Sequence, residues 1–179
     1  MRWTIYPKPD RQITLDLAQV LDVNTKIASL LVQRGIESYD AAKKYFRPSL
    51  EDLHDPFLMK DMDLAVHRIE AAIASEENIL VYGDYDVDGT TSVALVSSYL
   101  KTYYPNVHTY IPDRYDEGYG VSYKGIDFAA DNDFSLIIAL DCGIKAIDKI
   151  AYASKKEVDF IICDHHRPGP EIPEAVAVL

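Results

Sequence analysis

The fold is decided by the stretch ILVYGDYDVDGTT, residues Ile79–Thr91. It opens with a short apolar run typical of a buried strand, and a turn rich in aspartate and glycine follows at once. Three more short apolar runs lie downstream, and segments of helical character separate them. Strands that alternate with helices predict βαβ units, and therefore an α/β fold with a mostly parallel sheet and flanking helices. The predicted strands are Ile79–Tyr82, Val107–Ile111, Leu136–Leu140 and Phe160–Cys163, and the predicted helices between them are Thr90–Tyr103, Ser122–Ala130 and Ala146–Ser154.

The sequence before this stretch has a helical pattern and carries no obvious chemistry. Its predicted helices are Thr25–Arg34, Ser38–Phe46 and Asp61–Glu77. We therefore predict a small helical N-terminal region, residues 1–77, that precedes the α/β domain, residues 78–179. A fifth apolar run, Ala175–Leu179, predicts the start of another strand where the sequence stops. We expect the domain to be incomplete at its C-terminus and the chain to be a truncated part of a longer protein.

The composition is that of a globular protein outside the membrane and outside secretory compartments. Of the 179 residues, 48% are hydrophobic and 26% are charged, as is common for globular domains. No apolar run approaches the roughly 18 residues that a membrane helix requires. Residues Met1–Asp10 lack a signal-peptide pattern, and Cys142 and Cys163 do not form a C-x-x-C pair. These features predict a location in the reducing cytoplasm.

The net charge limits the functions that the chain can have. It carries 29 acidic against 18 basic residues, a formal charge of −11, whereas phosphate binding usually requires a basic surface. Two interpretations remain open at this point. The acidic surface could simply favour solubility. Alternatively, many of the acids are metal ligands, and the basic groove belongs to sequence outside these residues.

A distinctive polar cluster follows each of the four predicted strands. In a parallel sheet the carboxyl ends of the strands share one edge, where open α/β folds bind ligands. Several acids and two histidines would therefore converge there, and such carboxylates repel one another unless a cation compensates them. Mixed carboxylate and imidazole ligands suit Mn²⁺ or a similar ion, and two such ions roughly 4 Å apart can activate water against a phosphate. The clusters are Gly83–Gly89, Pro112–Arg114 leading into Glu117–Gly120, Asp141–Gly143 and Asp164–His166.

Taken singly, these clusters also have ordinary structural explanations. An aspartate-rich turn beside glycine is often only a turn, and a lone Asp141 at a strand end is often a helix cap. Arg114 fits either a solvated loop or a guanidinium clamp for phosphate. Residues Gly118, Tyr119 and Gly120 fit either a turn or a loop that lets a nucleotide approach the backbone. Their joint position on one edge favours the functional interpretation.

The ordered set of motifs resembles the DHH phosphoesterase family. The first family motif resembles Asp84–Gly89, the second centres on Asp141, and the third is Asp164-His165-His166, which gives the family its name. The longer form Gly83–Thr91 is similar to the branch of single-strand-specific DNA exonucleases. Further segments similar to that branch are Tyr110–Arg114, Glu117–Gly120, Arg2-Trp3, Leu31–Ile36 and Leu53–Leu58. The resemblance therefore covers essentially the whole chain.

The resemblance implies a hydrolase that removes nucleotides from single-stranded DNA in the 5′-3′ direction, in DNA repair and recombination. It implies a site for two Mn²⁺ or Mg²⁺ ions that activate water, and a substrate held partly by Arg114 and the loop Gly118-Tyr119-Gly120. Asp164 would hold a histidine in one tautomer. Partners would be single-stranded DNA, a helicase and a single-strand-binding protein. The metal residues implied are Asp84, Asp86, Asp88, Asp141, His165 and His166, all but Asp84 also catalytic.

The sequence departs from the family pattern at its end, because a fourth aspartate motif and a second domain that holds nucleic acid would lie beyond Leu179. We expect low activity from such a truncated chain. Three alternatives stay open: a DHH-type oligoribonuclease or cyclic-dinucleotide phosphodiesterase, a non-catalytic DHH binding module, and a haloacid dehalogenase-type phosphatase with Asp86 as nucleophile and Asp88 as acid. The phosphatase would place its nucleophile directly at the strand end and has no use for His165 and His166.

Overall fold

The computed structural model describes residues 4–179, and it divides them into two compact units between Asp55 and Pro56. Arg2 and Trp3, which contribute to the family resemblance, lie outside the described residues. The structural division precedes the sequence division at residue 77, so the helix that leads into the sheet belongs to the second unit. No helix within the described part of the chain is both long and apolar enough to cross a membrane.

The first unit is a small helical body whose first helix the sequence analysis did not predict. That helix begins after Asp10, whose carboxylate accepts a hydrogen bond from the Ile13 amide, and it buries Leu17. Ser38 caps a later helix through the Ala41 amide, as its position predicted. The helices are α1 (Arg11–Leu21), α2 (Thr25–Val32) and α3 (Tyr39–Phe46), and a 3₁₀ turn follows at Leu50–Asp52.

The second unit contains the α/β domain, and all four predicted strands are present. A fifth short strand follows them, so the apolar run near the end also forms a strand. After a 3₁₀ turn at Pro56–Leu58 the elements are α4 (Met62–Ala74), β1 (Asn78–Gly83), α5 (Val87–Lys101), β2 (Val107–Tyr110), α6 (Tyr123–Asp131), β3 (Phe134–Leu140), α7 (Ile147–Ser154), β4 (Asp159–Cys163) and β5 (Ala177–Val178).

The five strands form one parallel sheet in the order β2-β1-β3-β4-β5. This order reverses direction between β1 and β3, since β2 lies on one side of β1 and the later strands lie on the other. In doubly wound folds of this order, ligands bind at the carboxyl ends of the strands beside that switch point. The topology therefore predicts a ligand site among the residues that follow Gly83 and Leu140.

The strands alternate their side chains between two separate cores, as the period of two predicts. Leu80 and Tyr82 of β1 pack with α6 and α7 on one face. Ile79 and Val81 pack with α4 and α5 on the other. Because both faces are covered, the strands are apolar almost throughout, which is the pattern expected of a buried parallel sheet.

Helix α5 begins at Val87, three residues earlier than the predicted start at Thr90. Asp86 is its N-cap and accepts a hydrogen bond from the Gly89 amide at 3.0 Å. A side chain at Gly89 would place its Cβ 2.4 Å from the carbonyl oxygen of Asp84, so only glycine lets the helix pack this closely on the turn. The predicted start is late because the aspartate-rich segment has the pattern of a turn, and its last residues form the first turn of α5.

Candidate metal centre at the carboxyl edge of the sheet

The structure brings Asp141, His165 and His166 together at the carboxyl ends of β3 and β4. One ligand atom from each lies within 4.8 Å of the others. Asp141 follows β3 in the left-handed conformation with φ 61°, and its amide donates to the Cys163 carbonyl at 2.8 Å. This bond extends the backbone hydrogen bonding between β3 and β4 by one residue, and it holds the Asp141 carboxylate beside the histidines. His165 Nε2 lies 3.1 Å from Asp141 Oδ1, and 74% of the His165 side chain is exposed.

Asp164 holds His166 in place. Its Oδ1 lies 2.7 Å from Nδ1 of the His166 ring and also accepts from the His166 amide at 3.0 Å, while its Oδ2 accepts from the Ile144 amide at 2.9 Å. Burial opposes ionisation of Asp164, but these hydrogen bonds outweigh it and lower its pKa. The same contact with Asp164 raises the pKa of His166. With Nδ1 directed at a carboxylate, Nε2 is the ring nitrogen that is available to bind a metal ion.

The three aspartates after β1 lie outside the compact group of ligand atoms, and two of them act electrostatically on Asp141. Asp84 is fully buried; its Oδ1 accepts from the Tyr85 amide at 2.7 Å, and its Oδ2 has no hydrogen-bond partner among residues 4–179. Asp86 caps α5, and Asp88 lies in the first turn of that helix. The charges of Asp86 and Asp88 both raise the pKa of Asp141. The carboxylates that follow β1 and β3 therefore interact electrostatically across the switch point.

The donor set fits a divalent cation. Burial raises the pKa of Asp141, the charge of Asp86 adds to this, and the two histidines oppose it. A buried carboxylate oxygen without a partner, such as Oδ2 of Asp84, is costly unless a cation or a bound solvent molecule satisfies it. A cation at this edge would remove both penalties, since it compensates the gathered charge and supplies a partner for free carboxylate oxygens.

Tyr119 and its flanking glycines lie at the same edge. Gly118 and Gly120 have φ values of 82° and 78°, which side chains rarely adopt. The turn they form places the Tyr119 hydroxyl 3.4 Å from His166 Nε2, and the Tyr119 ring packs edge-on against Tyr85. Loss of hydration and the nearby carboxylates, Asp84 first among them, raise the pKa of Tyr119 to about 12. Its hydroxyl therefore stays protonated near neutral pH and can donate a hydrogen bond.

Arg114 lies close to this aromatic pair rather than to the acid cluster. Its guanidinium carbon is 5.3 Å from the centre of the Tyr85 ring, a distance typical of a cation–π contact. No carboxylate among the described residues pairs with Arg114, so its guanidinium is available to an anion. The loop that carries Arg114 is anchored by Glu117, which accepts from the Tyr110 hydroxyl at 2.9 Å and from the Asp113 amide at 2.8 Å.

A cavity beside the cluster contains two lysines that the sequence analysis did not single out. Its volume is about 290 Å³, and Asp164 and His166 form one side of it. Lys145, which precedes the N-cap Ala146, and Lys149, in the first turn of α7, also line it. The available signal was their spacing of four residues directly after the Asp141 motif. Without the known start of α7, that spacing could not be related to the cluster.

The chain belongs to the DHH family, because the model of the DHH family N-terminal domain matches residues 78–179. Within this family it is similar to the single-stranded-DNA-specific exonuclease RecJ of Bacillus subtilis strain 168, with 40% identity over 179 residues, which are 100% of this chain and 23% of that protein. The crystal structure of RecJ from Thermus thermophilus in complex with Mn²⁺ matches 98% of this chain and 24% of its own, with 25% identity and a TM-score of 0.72.

A further crystal structure, of exonuclease RecJ bound to manganese, is 33% identical to this chain. The match covers 64% of this chain and 29% of the other, with a TM-score of 0.59. The chain thus spans about a quarter of the length of the relatives described here. These matches confirm the family resemblance and the α/β fold with its helical N-terminal region.

Proposed function

We propose that the protein is a metal-dependent phosphodiesterase that degrades single-stranded DNA from the 5′ end. The observation that carries this proposal is the group formed by Asp141, His165 and His166, whose ligand atoms lie within 4.8 Å of one another at the carboxyl ends of β3 and β4. The similarity to single-stranded-DNA-specific exonucleases supports the substrate, and the polarity is proposed from the family resemblance of the motifs. The crystal structures of similar exonucleases with manganese support the cofactor.

The residues at this edge divide between two expected ion positions, for Mn²⁺ or Mg²⁺. Asp141, His165 and His166 form one compact set, and the acids Asp84, Asp86 and Asp88 are the candidates to complete the other. Carboxylates and imidazoles together favour Mn²⁺ over Ca²⁺. When bound, a pair of divalent ions supplies an activated water and stabilises the attacking and leaving oxygens of a phosphate.

Residues of this chain would orient the metal-binding histidine and hold the phosphates of the substrate around that centre. Asp164 fixes the ring of His166, so that Nε2 rather than Nδ1 is offered to the cluster. The Tyr119 hydroxyl lies beside Nε2 and is a hydrogen-bond donor within reach of a phosphate oxygen at the same edge. Arg114, with no carboxylate partner among the described residues, is the candidate clamp for a second phosphate along the strand. We therefore propose that the loop segments after β2, which carry Arg114 and Tyr119, position the substrate.

The geometry gives no support to the phosphatase alternative. Strand β1 ends at Gly83, and Asp86 stands at the start of α5 with its carboxylate engaged as the N-cap. A nucleophile of that class would extend directly from the strand end, whereas Asp84 holds that position and is fully buried. The two histidines would also have no role.

The cellular role and the protein partners are proposed from the family resemblance of the motifs. We propose action in DNA repair and recombination in the cytoplasm, with a helicase and a single-strand-binding protein as partners. The two cysteines are unpaired, in keeping with a reducing compartment. Because the 179-residue chain spans 23% of the B. subtilis relative, we expect its activity alone to be at least about 100-fold below that of a protein of the relative's length.

The test is digestion of end-labelled DNA by the natural protein with Mn²⁺ or Mg²⁺. We expect a single strand to shorten from its 5′ end with release of mononucleotides, while a blunt duplex of the same sequence stays nearly intact. A strand labelled at its 3′ end is the control for polarity. Hydrolysis of cyclic dinucleotides with long DNA left intact would instead support the oligoribonuclease alternative. Absence of any hydrolysis, with metal bound, would support a binding module.

A further inference from the structure

A groove in the first unit combines apolar and basic side chains. It lies between α1 and α2 and has a volume of about 650 Å³, within the range of small-molecule sites, roughly 300–1,000 Å³. Leu15 and Leu30 line it from the two helices and remain about half exposed, at 43% and 53%. Lys8, Arg11 and Lys26 line it as well, and no acidic residue of the described chain does so. The lining therefore favours a ligand that is both apolar and anionic.

The groove is fixed by packing and by a hydrogen bond within the first unit. Leu17 of α1 and Leu31 of α2 belong to one buried cluster, which holds the two helices together. The segment that carries Lys8 is held at the end of α2, because the Gln33 side chain donates to the Pro7 carbonyl at 3.1 Å. A ligand would therefore meet a surface that is already formed.

The three basic residues of the groove do not stabilise the unit by pairing. None of them forms an ion pair within residues 4–179. Arg11 is the first residue of α1 and Lys26 is the second residue of α2, positions at which the helix dipole disfavours cations. Residues that break a local rule of this kind without a compensating contact are common at functional sites.

The charge of the chain is divided unequally between the two units. Residues 1–55 contain eight basic and eight acidic residues, so the net charge of −11 falls entirely on residues 56–179. The second unit therefore repels an anionic partner, whereas the first unit as a whole does not. The groove brings together three of the basic residues of the first unit, with no acidic residue of the described chain in its lining. Charge complementarity thus favours an anionic partner at this groove.

Two classes of anionic partner, nucleic acid and acidic peptide, need different surfaces. Single-stranded nucleic acid stacks its bases on aromatic side chains, and no aromatic residue of the described chain lines the groove. Contacts with phosphate alone would also leave Leu15 and Leu30 exposed to water. A peptide with acidic and apolar side chains pairs with the basic residues and covers the leucines. The lining therefore favours the peptide.

We propose that the groove between α1 and α2 is a docking site for an acidic segment of a partner protein. Carboxylates of that segment pair with Lys8, Arg11 and Lys26, and an apolar side chain packs on Leu15 and Leu30. The groove lies within the first unit, whereas the candidate metal ligands lie within the second. The groove therefore recruits a partner and takes no part in hydrolysis, and the inference does not rest on the proposed function.

The experiment measures binding of fluorescein-labelled peptides to the natural protein by fluorescence anisotropy, in the presence of a chelator. The peptides are about ten residues long and combine aspartate with leucine or phenylalanine at different spacings. Each peptide has a counterpart in which asparagine replaces every aspartate. We expect acidic peptides of the panel to bind at least about tenfold more tightly than their asparagine counterparts, and added salt to weaken that binding. A panel in which no acidic peptide binds more tightly than its counterpart would overturn the site.

Matched variants locate the binding. We expect Arg11→Gln with Lys26→Gln to weaken binding of the acidic peptide about fivefold or more. Leu30→Ser tests the apolar contact, and we expect a loss of about the same size. Lys43→Gln with Lys44→Gln removes two charges from α3, outside the groove, and is expected to leave binding unchanged. Equal losses for the two double variants would overturn the site, because only the charge of the unit would then matter.

A labelled oligothymidine strand distinguishes the peptide from nucleic acid. We expect Arg11→Gln with Lys26→Gln to bind this strand as tightly as the unmodified protein, and to digest DNA at an unchanged rate when Mn²⁺ is present. A double variant that loses affinity for the strand but keeps its affinity for the acidic peptide would show a nucleic-acid surface, and the proposal would be wrong.

Discussion

The charged side chains at the two ends of the sheet differ in whether they form ion pairs. At the amino end, Arg68 contacts Glu77 and Asp159, each at 2.7 Å, and Ser135 donates to Glu77. At the carboxyl end, the charges of Asp86 and Asp88 act on Asp141, and no lysine or arginine within residues 4–179 forms an ion pair with any of the three. The amino end stabilises the fold by pairing its charges, whereas at the carboxyl end the carboxylates repel one another and the two histidines offset this repulsion only in part. A bound cation would relieve the rest. Functional sites commonly reduce stability in this way.

The largest effect should come from removing the cluster at the carboxyl end. The double substitution Asp141→Asn with His165→Ala deletes a carboxylate and an imidazole from the compact group. We expect Mn²⁺-dependent DNA hydrolysis to fall by about 1,000-fold or more, since removal of a single group that positions or stabilises charge costs about 10²–10³-fold. Initial rates at saturating DNA measure it. A double variant within tenfold of the unmodified rate would show that the chemistry lies elsewhere.

Breaking the ion pairs at the amino end should affect stability instead. Arg68→Met keeps the aliphatic stem but leaves Glu77 and Asp159 without their cation. We expect the free energy of unfolding to fall by about 2 kcal/mol, below the 3–5 kcal/mol of a fully buried pair because Asp159 is half exposed. Urea unfolding measures it, with the exposed Lys101→Met as the matched control. Equal stability of the two variants would refute the structural role of the amino end.

The amino end also predicts a pH dependence. Burial raises the pKa of Glu77, but hydrogen bonds from Ser135 and Arg68 outweigh it, and the net effect is a lowered pKa. A lowered pKa stabilises the fold above the pKa of the unfolded chain, about 4.3, and this contribution is lost as the pH falls through the folded value. We expect Glu77→Gln to reduce the loss of stability between pH 7 and pH 3 by less than about 1 kcal/mol. Urea unfolding at both pH values, with a chelator present, checks this; a larger loss in the variant would contradict the sign.

The smallest effect should be an increase, and not a decrease, in the stability of the metal-free protein. Asp86→Asn keeps an N-cap for α5, because asparagine caps as well as aspartate, and it removes a charge that raises the pKa of Asp141. We expect the metal-free protein to gain a few tenths of a kcal/mol at pH 7, while the stabilisation by added Mn²⁺ decreases. Thermal unfolding with chelator and with Mn²⁺ gives both numbers. A loss of stability in the chelator would mean that Asp86 is structural.

The sequence predicted the sheet well because its strands are buried on both faces and read as continuous apolar runs. It predicted the edge on which Asp84, Asp141 and the histidines lie, since parallel strands share their carboxyl ends. It did not predict α1, because the analysis began its helical pattern at Thr25 although Ile13, Leu17 and Leu21 have helical spacing. It also placed the start of α5 too late, because the N-cap role of Asp86 depends on the close packing of Gly89.

The distances within the site could not be predicted from the sequence. The sequence gives no means of deciding that Asp141 and the histidines form a compact group while Asp86 serves as a cap. That separation depends on the left-handed backbone at Asp141 and on the bond from its amide to Cys163. The cavity with Lys145 and Lys149 depends likewise on where α7 begins.

The most direct test of the central claim is the change in melting temperature of the natural protein on addition of Mn²⁺. If the carboxyl end of the sheet is a cation site, Mn²⁺ at about 100 times its Kd should stabilise the fold by about 2.7 kcal/mol. For a unit of this chain's size the melting temperature would rise by roughly 5–10 °C, and for a longer protein that unfolds as one unit the rise would be smaller. The variant Asp141→Asn with His165→Ala should show no increase. An unmodified protein that does not respond to Mn²⁺, or a double variant that responds equally, would contradict the account.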